Sequence, residues 1–193
     1  FELPPVAFHL HKIVPLGAGL GGGSADAAFS LRLLNDIFEL SLDDRQVATF
    51  ALQLGSDCPY FVYKGAMLGR GRGNDLTPIN LSLKGYYLVV VKPVIHVSTA
   101  DAFRGIKPKR PSHDLSKLLA QPISTWRDTI ENDFESAIFQ DYPSIREIKE
   151  KLYGAGAVYA SMSGSGAAVY GIFSQPIDLS SSFHGCTYWS GVL

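Results

Sequence analysis

The chain has 193 residues, of which 46% are hydrophobic, and a formal net charge of −1. This length suits one large domain or two small ones with a real core, and the nearly neutral charge disfavours nucleic acid or an anionic membrane as the partner. We therefore expect a small-molecule partner. The two cysteines form no CxxC pair, no apolar run could span a bilayer, and the first residues lack signal-peptide character. These features predict a cytoplasmic protein without a zinc site or a disulfide framework.

The first half of the chain combines an apolar run with two helical patterns. Residues 6–14 alternate imperfectly and predict a strand. An apolar stripe with helical period predicts a helix over residues 24–40. A second helix follows, with Ser41 as its cap, Asp44 at its third position and Gly55 at its end. Its predicted buried face comprises Val47, Ala48, Ala51 and Leu54.

After this helix the elements become shorter. Residues 60–63 predict a short apolar strand, and residues 69–75 are loop by composition. A change of domain is predicted near residue 84, which divides the chain into residues 1–84 and residues 85–193.

The second half mixes strands and helices. A buried strand is predicted at residues 86–91, a capped helical turn at 97–103 and a basic linker at 107–111. Three helices are predicted, at residues 114–120, 125–140 and 143–153. Three further strands are predicted, at residues 158–162, 167–173 and 187–192. This order of elements indicates an α+β fold.

Five of the 19 glycines fall within residues 17–23, between the predicted strand and the first helix. Glycines let backbone N–H groups approach a ligand closely, and the following helix directs unpaired N–H groups and the positive end of its dipole to the same place. The stretch therefore predicts an anion site over residues 19–24, against the alternative of a glycine-rich turn without a ligand.

Two general phosphate motifs fit this stretch poorly. A P-loop requires lysine where Gly23 stands. The spacing of Gly17, Gly19 and Gly22 fits G-x-G-x-x-G, but a dinucleotide fold needs a strand soon after the helix, and here a second helix is predicted. A dinucleotide-binding oxidoreductase stays open as a weaker alternative.

A third pattern fits better. The stretch PLGAGLGGGSADAA at residues 15–28 resembles the second motif of the GHMP kinases, the superfamily of galactokinase, homoserine kinase and mevalonate kinase, and SMSGSGAA at 161–168 resembles the third. With GSDCPYF at 55–61 and ENDFE at 131–135, the chain most resembles the member group that phosphorylates a cytidine-diphosphate methylerythritol. The resemblance covers almost the whole chain.

The resemblance implies a two-domain GHMP kinase architecture, with an N-terminal part like domain 2 of ribosomal protein S5 and a ferredoxin-like C-terminal part. It implies transfer of the γ-phosphoryl group of ATP, with Mg²⁺, to the 2-hydroxyl of a cytidine-diphosphate sugar alcohol of the non-mevalonate isoprenoid pathway. The enzyme would be a monomer or a homodimer.

The resemblance also assigns roles to residues. Asp57 matches the catalytic aspartate, which would orient the acceptor hydroxyl and accept its proton; its alternative role is a helix cap. Thr99 and Phe103 match substrate-side positions, the ring stacking on cytosine, with a core phenylalanine as the alternative. Ser24 would lie near Mg²⁺. The triphosphate would be held by Pro15, Gly17, Ala18, Gly19, Leu20, Gly21, Gly22, Gly23 and Ser24. A second loop, closing against the first, would comprise Ser163, Gly164, Ser165 and Gly166, with an ordinary hairpin turn as its alternative.

The family begins with a strand that bears a catalytic lysine, and no such segment precedes Phe1. We therefore expect the chain to lack about the first quarter of the enzyme, and we do not transfer the role of that lysine to Lys12. A nucleotide-binding domain with impaired catalysis stays open as a second alternative. No chemistry is assigned to Asn132 or Asp133, which fall inside the predicted helix at 125–140.

Overall fold

The computed structural model describes residues 1–106, 109 and 113–193, so the predicted basic linker lies outside the described residues except for Lys109. The chain separates into two compact units. The first comprises Phe1–Leu16 and Gly21–Ile79, and the second comprises Gly17–Leu20 and Asn80–Leu193. The assignment of domains to residues 1–84 and 85–193 stays a prediction.

The first unit contains two α-helices and a β-hairpin. Helix α1 spans Gly22–Ile37, helix α2 spans Asp44–Leu54, and a 3₁₀ helix spans Cys58–Val62. Strands β1 (Met67–Arg70) and β2 (Asp75–Pro78) pair antiparallel. The three helices enclose a small apolar core, formed by Ala28, Val47, Ala48, Ala51, Cys58 and Val62.

Two predictions for this unit are wrong, and a third holds only in part. Residues 6–14 form no strand, since no described strand pairs with them and a strand exists only through its partner. The strand predicted at residues 60–63 is wrong, because residues 60–62 belong to the 3₁₀ helix, which Pro59 favours since its fixed φ suits the first helical turn. Within the predicted loop 69–75, residues 71–74 form a hairpin turn as expected, whereas residues 69–70 and 75 belong to β1 and β2.

Helix α2 ends at Gly55 as predicted, but its cap is Asp43. The Asp43 carboxylate accepts from the backbone N–H of Gln46 at 2.8 Å, and the Gln46 side chain accepts from the N–H of Asp43 at 3.0 Å. This reciprocal pair is a capping box, which Ser41 with Asp44 does not form. Leu54 was predicted to be buried and is 61% exposed, so the buried face of α2 ends at Ala51.

The second unit is built on a four-stranded antiparallel sheet in the order β4-β5-β3-β6. Its strands are β3 (Tyr87–Lys92), β4 (Tyr159–Met162), β5 (Val169–Phe173) and β6 (Thr187–Val192). This order is that of a ferredoxin-like sheet and confirms the α+β prediction. Because every described strand pair is antiparallel, the parallel sheet required by the dinucleotide alternative is contradicted.

Five helices and two 3₁₀ turns accompany the described sheet. The helices are α3 (Thr99–Arg104), α4 (Leu115–Leu119), α5 (Trp126–Thr129), α6 (Glu135–Asp141) and α7 (Pro143–Gly154). The 3₁₀ turns span Ile123–Thr125 and Ser180–Ser182. Alternate residues of β3 enter different apolar clusters: Val89 and Val91 pack with Ile145 and Leu152 of α7, whereas Leu88 packs with the cluster of Trp126 and Tyr159. Both faces of the sheet are thus covered.

The single helix predicted at residues 125–140 is wrong, because the chain breaks between α5 and α6. The Asn132 side chain accepts from the N–H of Phe134 at 3.0 Å, and its carbonyl accepts from the N–H of Glu135 at 2.9 Å. Such local bonds compete with helical ones, so Asn132 and Asp133 lie in a turn. Within the described ranges, no helix has the length and apolarity needed to cross a bilayer.

Candidate functional site

Helix α1 begins at the end of the glycine stretch without a capping side chain. Its N-cap is Gly21, which adopts φ 67°, and its first turn contains no acidic residue. The N–H groups of Gly22, Gly23 and Ser24 have no partner within the helix, as at every helix start. The Ser24 hydroxyl makes no hydrogen bond to any described residue. This end of α1 therefore has the free N–H groups and dipole end that bind an anion.

Gly21 is required by the packing of the first unit. A Cβ built on it would lie 2.7 Å from Cζ of Phe61, which belongs to the 3₁₀ helix Cys58–Val62. The left-handed φ adds a second reason for glycine at this position. Gly23 differs, since it is exposed and a Cβ there would meet nothing within 4 Å. Pro15 is half-buried.

A lysine to which the sequence analysis gave no role lies at the same helix end. The Lys12 ammonium forms an ion pair with Asp26, and it lies 3.5 Å from the position of a Cβ on Gly22. Both side chains are partly buried. The only indication in the sequence was a lysine shortly before Pro15, in a run that also contains His9 and His11. The structure thus adds a cation to the start of α1.

Asp57 immediately precedes the 3₁₀ helix Cys58–Val62 and makes no side-chain capping bond to it. Asp57 thus stands at the N-cap position, but its carboxylate does not act as a cap. Its side chain is exposed, and its carboxylate forms no hydrogen bond or ion pair with the described chain. Oδ1 lies 3.4 Å from the position of a Cβ on Gly73, in the β1–β2 turn. The carboxylate is available to an external group.

In the second unit, residues Gly17–Leu20 pack backbone to backbone against the loop between β4 and β5. The Ser163 hydroxyl donates to the carbonyl of Gly19 at 2.8 Å, and the N–H of Ala168 donates to the carbonyl of Ala18 at 3.0 Å. A Cβ on Gly19 would overlap the carbonyl oxygen of Ser163 and lie 2.9 Å from that of Gly166. The structure therefore brings these two predicted glycine segments into direct contact.

The β4–β5 loop, predicted as Ser163, Gly164, Ser165 and Gly166, is closed by its own turn. Gly166 N–H donates to the Ser163 carbonyl at 2.9 Å, and Ser163 N–H donates to the Ala168 carbonyl at 2.8 Å. These are the bonds of an ordinary turn. The contacts with Ala18 and Gly19 go beyond such a turn.

His96, which belongs to none of the sequence motifs, also contacts the glycine stretch. A Cβ on Gly17 would lie 2.6 Å from His96 Nδ1, so the imidazole packs on the backbone of the glycine stretch. His96 itself is exposed. Nothing in its sequence surroundings distinguished it from other residues before α3.

Thr99 and Phe103 lie on helix α3 of the second unit, and both are exposed. The Phe103 ring is 62% exposed and meets Phe134 edge-on, with ring centroids 5.0 Å apart at 89°. The alternative of a core phenylalanine is therefore wrong. The described residues contain no group of three or more His, Cys, Asp and Glu side chains that could form a metal cage.

The chain matches two family models. Residues 1–65 match the GHMP kinases N terminal domain, and residues 115–180 match the GHMP kinases C terminal model. The first match contains the glycine stretch and Asp57, and the second contains the β4–β5 loop.

Two proteins of known name are similar in sequence to most of this chain. A 4-diphosphocytidyl-2-C-methyl-D-erythritol kinase of Bacteroides fragilis is 52% identical over 174 residues, which are 90% of this chain and 64% of that protein. The protein of the same name from Parabacteroides distasonis is 44% identical over 195 residues, covering 100% of this chain and 72% of that protein. The chain therefore spans about two thirds of the length of these relatives.

The fold also matches a solved structure. A crystal structure of 4-(cytidine 5'-diphospho)-2C-methyl-D-erythritol kinase aligns with a TM-score of 0.79 at 28% identity. The alignment covers 93% of this chain and 68% of that chain.

Proposed function

The chain belongs to the GHMP kinases, and from this premise we propose that it transfers the γ-phosphoryl group of ATP to the 2-hydroxyl of 4-diphosphocytidyl-2-C-methyl-D-erythritol. The relatives from Bacteroides fragilis and Parabacteroides distasonis carry the name of that kinase and match 90% and 100% of the chain. The reaction belongs to the non-mevalonate isoprenoid pathway, and the expected location is the cytoplasm. The oligomeric state, monomer or homodimer, stays a prediction.

The observation that carries this proposal is the uncapped start of α1. Free N–H groups at Gly22, Gly23 and Ser24 and the positive end of the helix dipole favour a phosphate at this point. In the donor site that we propose, the loop from Pro15 to Ser24 holds the triphosphate. The absence of an acidic residue from the first turn supports it, because a carboxylate there would compete with the phosphate for the same N–H groups.

Lys12 supplies positive charge to this donor site. Its ammonium lies close to Gly22 and is paired with Asp26, so it is held at the helix start rather than extended into solvent. A cation there offsets negative charge on the phosphates. We assign Lys12 to phosphate binding only, and not to the role of the family's N-terminal lysine.

Mg²⁺ would be held by the Ser24 hydroxyl together with the phosphates. Mg²⁺ sites in phosphoryl-transfer enzymes use few protein ligands, with substrate oxygens and water completing the octahedron. One unpartnered hydroxyl at the helix start therefore fits this ion, even though the described chain has no carboxylate cage. When bound, Mg²⁺ neutralises charge that develops on the phosphate oxygens.

Asp57 is the residue that we assign to proton transfer. As the acceptor's 2-hydroxyl oxygen bonds to the γ-phosphorus, the bond from that phosphorus to the β,γ-bridging oxygen breaks and ADP leaves. Asp57 accepts the hydroxyl proton. An exposed carboxylate without protein partners supports this role, since it can orient a hydroxyl without first giving up another bond.

Phe103 and Thr99 are the residues that we assign to the acceptor. Phe103 offers a largely exposed ring braced at its edge by Phe134, and such a ring can stack on cytosine. Thr99 lies one helical turn before Phe103, so both side chains lie on the same side of α3.

The test is ATP consumption by the chain with and without the cytidine substrate, with phosphorus NMR to locate the new phosphate ester. We expect Asp57→Asn to lower kcat about 100-fold or more, as is typical for loss of a general base. Asp36→Asn, which changes an exposed carboxylate on α1, is the matched control and should leave the rate unchanged. Equal rates for Asp57→Asn and the unmodified chain would contradict the role of Asp57.

The same assay separates the proposal from its alternative. Binding of magnesium-ATP by calorimetry without any substrate-dependent turnover would identify a nucleotide-binding domain with impaired catalysis. Failure to bind magnesium-ATP at all would contradict the proposed function itself.

A further inference from the structure

Residues 131–134 connect α5 to α6 and belong to the ENDFE stretch of the family resemblance. The proposed function gives them no role. The Asn132 amide nitrogen donates to the carbonyl of Met162 and to the carbonyl of Gly164, both at 2.8 Å. One carbonyl ends β4 and the other lies in the β4–β5 loop. Asn132 therefore joins the loop to the strand before it.

We propose that Asn132 is a positioning residue for ATP binding, which holds the β4–β5 loop in the shape that supports the glycine stretch at Ala18 and Gly19. This inference rests on the proposed function, because the ligand served is the triphosphate. Asn132 acts through the loop and contacts no substrate.

The orientation of the Asn132 amide is determined by the turn around it. Its Oδ1 accepts from the N–H of Phe134 at 3.0 Å, so the nitrogen faces the two carbonyls. An asparagine amide has two N–H donors, and both are used here. Aspartate, which has the same shape and no donors when ionised, cannot replace it.

Met162 is held on both sides of its backbone. Its N–H donates to the Glu135 carboxylate at 2.8 Å, whereas its carbonyl accepts from Asn132. Glu135 is buried and also accepts from Ser161 Oγ at 3.2 Å and from Lys149 Nζ at 2.6 Å. The end of β4 is thus held by hydrogen bonds on both sides of Met162, directly before the loop begins.

Hydrogen bonds connect the residues after Met162 to the glycine stretch. Ser163, the next residue after Met162, donates its hydroxyl to Gly19, and Ala168 donates its N–H to Ala18. All of these residues belong to the second unit. A change at Asn132 should therefore reach Gly19 through Met162 and the hydroxyl of Ser163.

The experiment uses the full chain with Asn132→Asp, which removes both donors and turns a carboxylate towards two carbonyl oxygens. Asn35→Asp is the matched control, because Asn35 in α1 also donates to a backbone carbonyl (Leu42, 3.1 Å) and accepts from a backbone N–H (Leu42, 3.0 Å). Two quantities are measured in each variant: the Kd for magnesium-ATP, and the amide hydrogen exchange of residues 17–20 and 163–168.

For Asn132→Asp we expect the Kd for magnesium-ATP to rise about tenfold or more, with faster exchange in both segments. At saturating ATP, kcat should stay near that of the unmodified chain, because Asn132 touches neither substrate. Asn35→Asp should change neither the Kd nor the exchange of these segments. Ser163→Ala, which removes only the bond to Gly19, should raise the Kd in the same direction and covers the case in which Asn132→Asp does not fold.

The deciding variant is Asn132→Asp, or Ser163→Ala if Asn132→Asp does not fold. The inference is overturned if this variant leaves the hydrogen exchange of residues 17–20 unchanged. It is also overturned if this variant raises the Kd for magnesium-ATP no more than Asn35→Asp does. If the unmodified chain does not bind magnesium-ATP, the proposed function fails and the ligand part of the inference fails with it. The exchange data then still decide, independently of any ligand, whether Asn132 shapes the two glycine segments.

Discussion

Gly19 and Ser163, which are 144 residues apart in the sequence, are joined by a hydrogen bond of 2.8 Å from the Ser163 hydroxyl to the Gly19 carbonyl. The two backbones approach so closely that a Cβ on Gly19 would overlap the Ser163 carbonyl oxygen. The glycine at position 19 is therefore needed for contact within the protein as well as for any phosphate. A substitution there should disturb the fold and the ligand together.

Gly19→Ala should destabilise the second unit more than the same substitution at a glycine whose added Cβ would contact no other atom. Gly156→Ala is the control, since Gly156 also has a positive φ but a Cβ there meets nothing within 4 Å. We expect the control to cost about 1–2 kcal/mol for the left-handed backbone. Gly19→Ala should cost a further ~1–3 kcal/mol for overpacking. Urea unfolding measures both, and equal losses would contradict the close approach.

Lys12→Met should weaken magnesium-ATP binding roughly tenfold to a hundredfold, because a hydrogen bond to a charged group contributes about 1.5–3 kcal/mol. Calorimetry measures the change. Asp26→Asn breaks the same ion pair but keeps the ammonium, so its affinity for ATP should not fall. Equal weakening in the two variants would show that Lys12 serves only the ion pair.

Ser24→Ala should raise the Mg²⁺ concentration needed for half-maximal ATP binding about tenfold. The reason is the loss of one oxygen ligand, whose contribution to the binding free energy is roughly that of one hydrogen bond. Ser24→Thr, which keeps the hydroxyl, should restore the original dependence. The readout is ATP affinity over a Mg²⁺ titration. A parallel loss of affinity at every Mg²⁺ concentration would contradict a role at the metal.

Glu135→Gln should lower the free energy of unfolding by about 3 kcal/mol, because it leaves the Lys149 ammonium without its carboxylate in a largely buried place. A double-mutant cycle with Lys149→Gln isolates the pair, and we expect a coupling of about 1–3 kcal/mol. Additive losses in urea unfolding would mean that the two side chains do not stabilise one another.

Stability should fall at alkaline pH through Tyr159. Burial, together with the nearby Tyr170 phenol, raises the pKa of Tyr159 above its ordinary value. Above pH ~10 the unfolded chain releases the phenolic proton first, so the stabilising contribution present at lower pH is lost as the pH rises. Above pH ~10, we expect the free energy of unfolding of the unmodified protein to fall by up to about 1.4 kcal/mol per pH unit more than that of Tyr159→Phe. Parallel curves of unfolding free energy against pH would contradict this. Some loss should remain in the variant, because burial also raises the pKa of Tyr170.

The elements predicted best are those whose information is local. Helix α7, with Pro143 at its start, and strands β3 and β6 lie within a residue or two of the prediction. Proline geometry and a continuous apolar run act within a few residues, so the sequence alone reveals them.

The elements predicted wrongly also depend on partners distant in sequence, in addition to the local effects of Pro59 and Asn132. Residues 6–14 have strand-like alternation but no described partner strand. Residues 60–62 of the apolar run pack as part of a 3₁₀ helix against α1 and α2. The predicted helix at 125–140 breaks where the Asn132 side chain binds backbone groups of Met162 and Gly164. Such bonds leave no periodic pattern in the sequence.

The same division holds for the candidate site. The sequence by itself determined the two glycine segments, the helix start that follows the first of them and the position of Asp57, since glycine conformation and helix ends are local properties. Only the tertiary structure decided that Gly19 touches Ser163, that Lys12 is held beside Gly22, and that Asn132 braces the β4–β5 loop. These contacts join residues between 10 and 144 positions apart, and their energy exists only once the chain has folded.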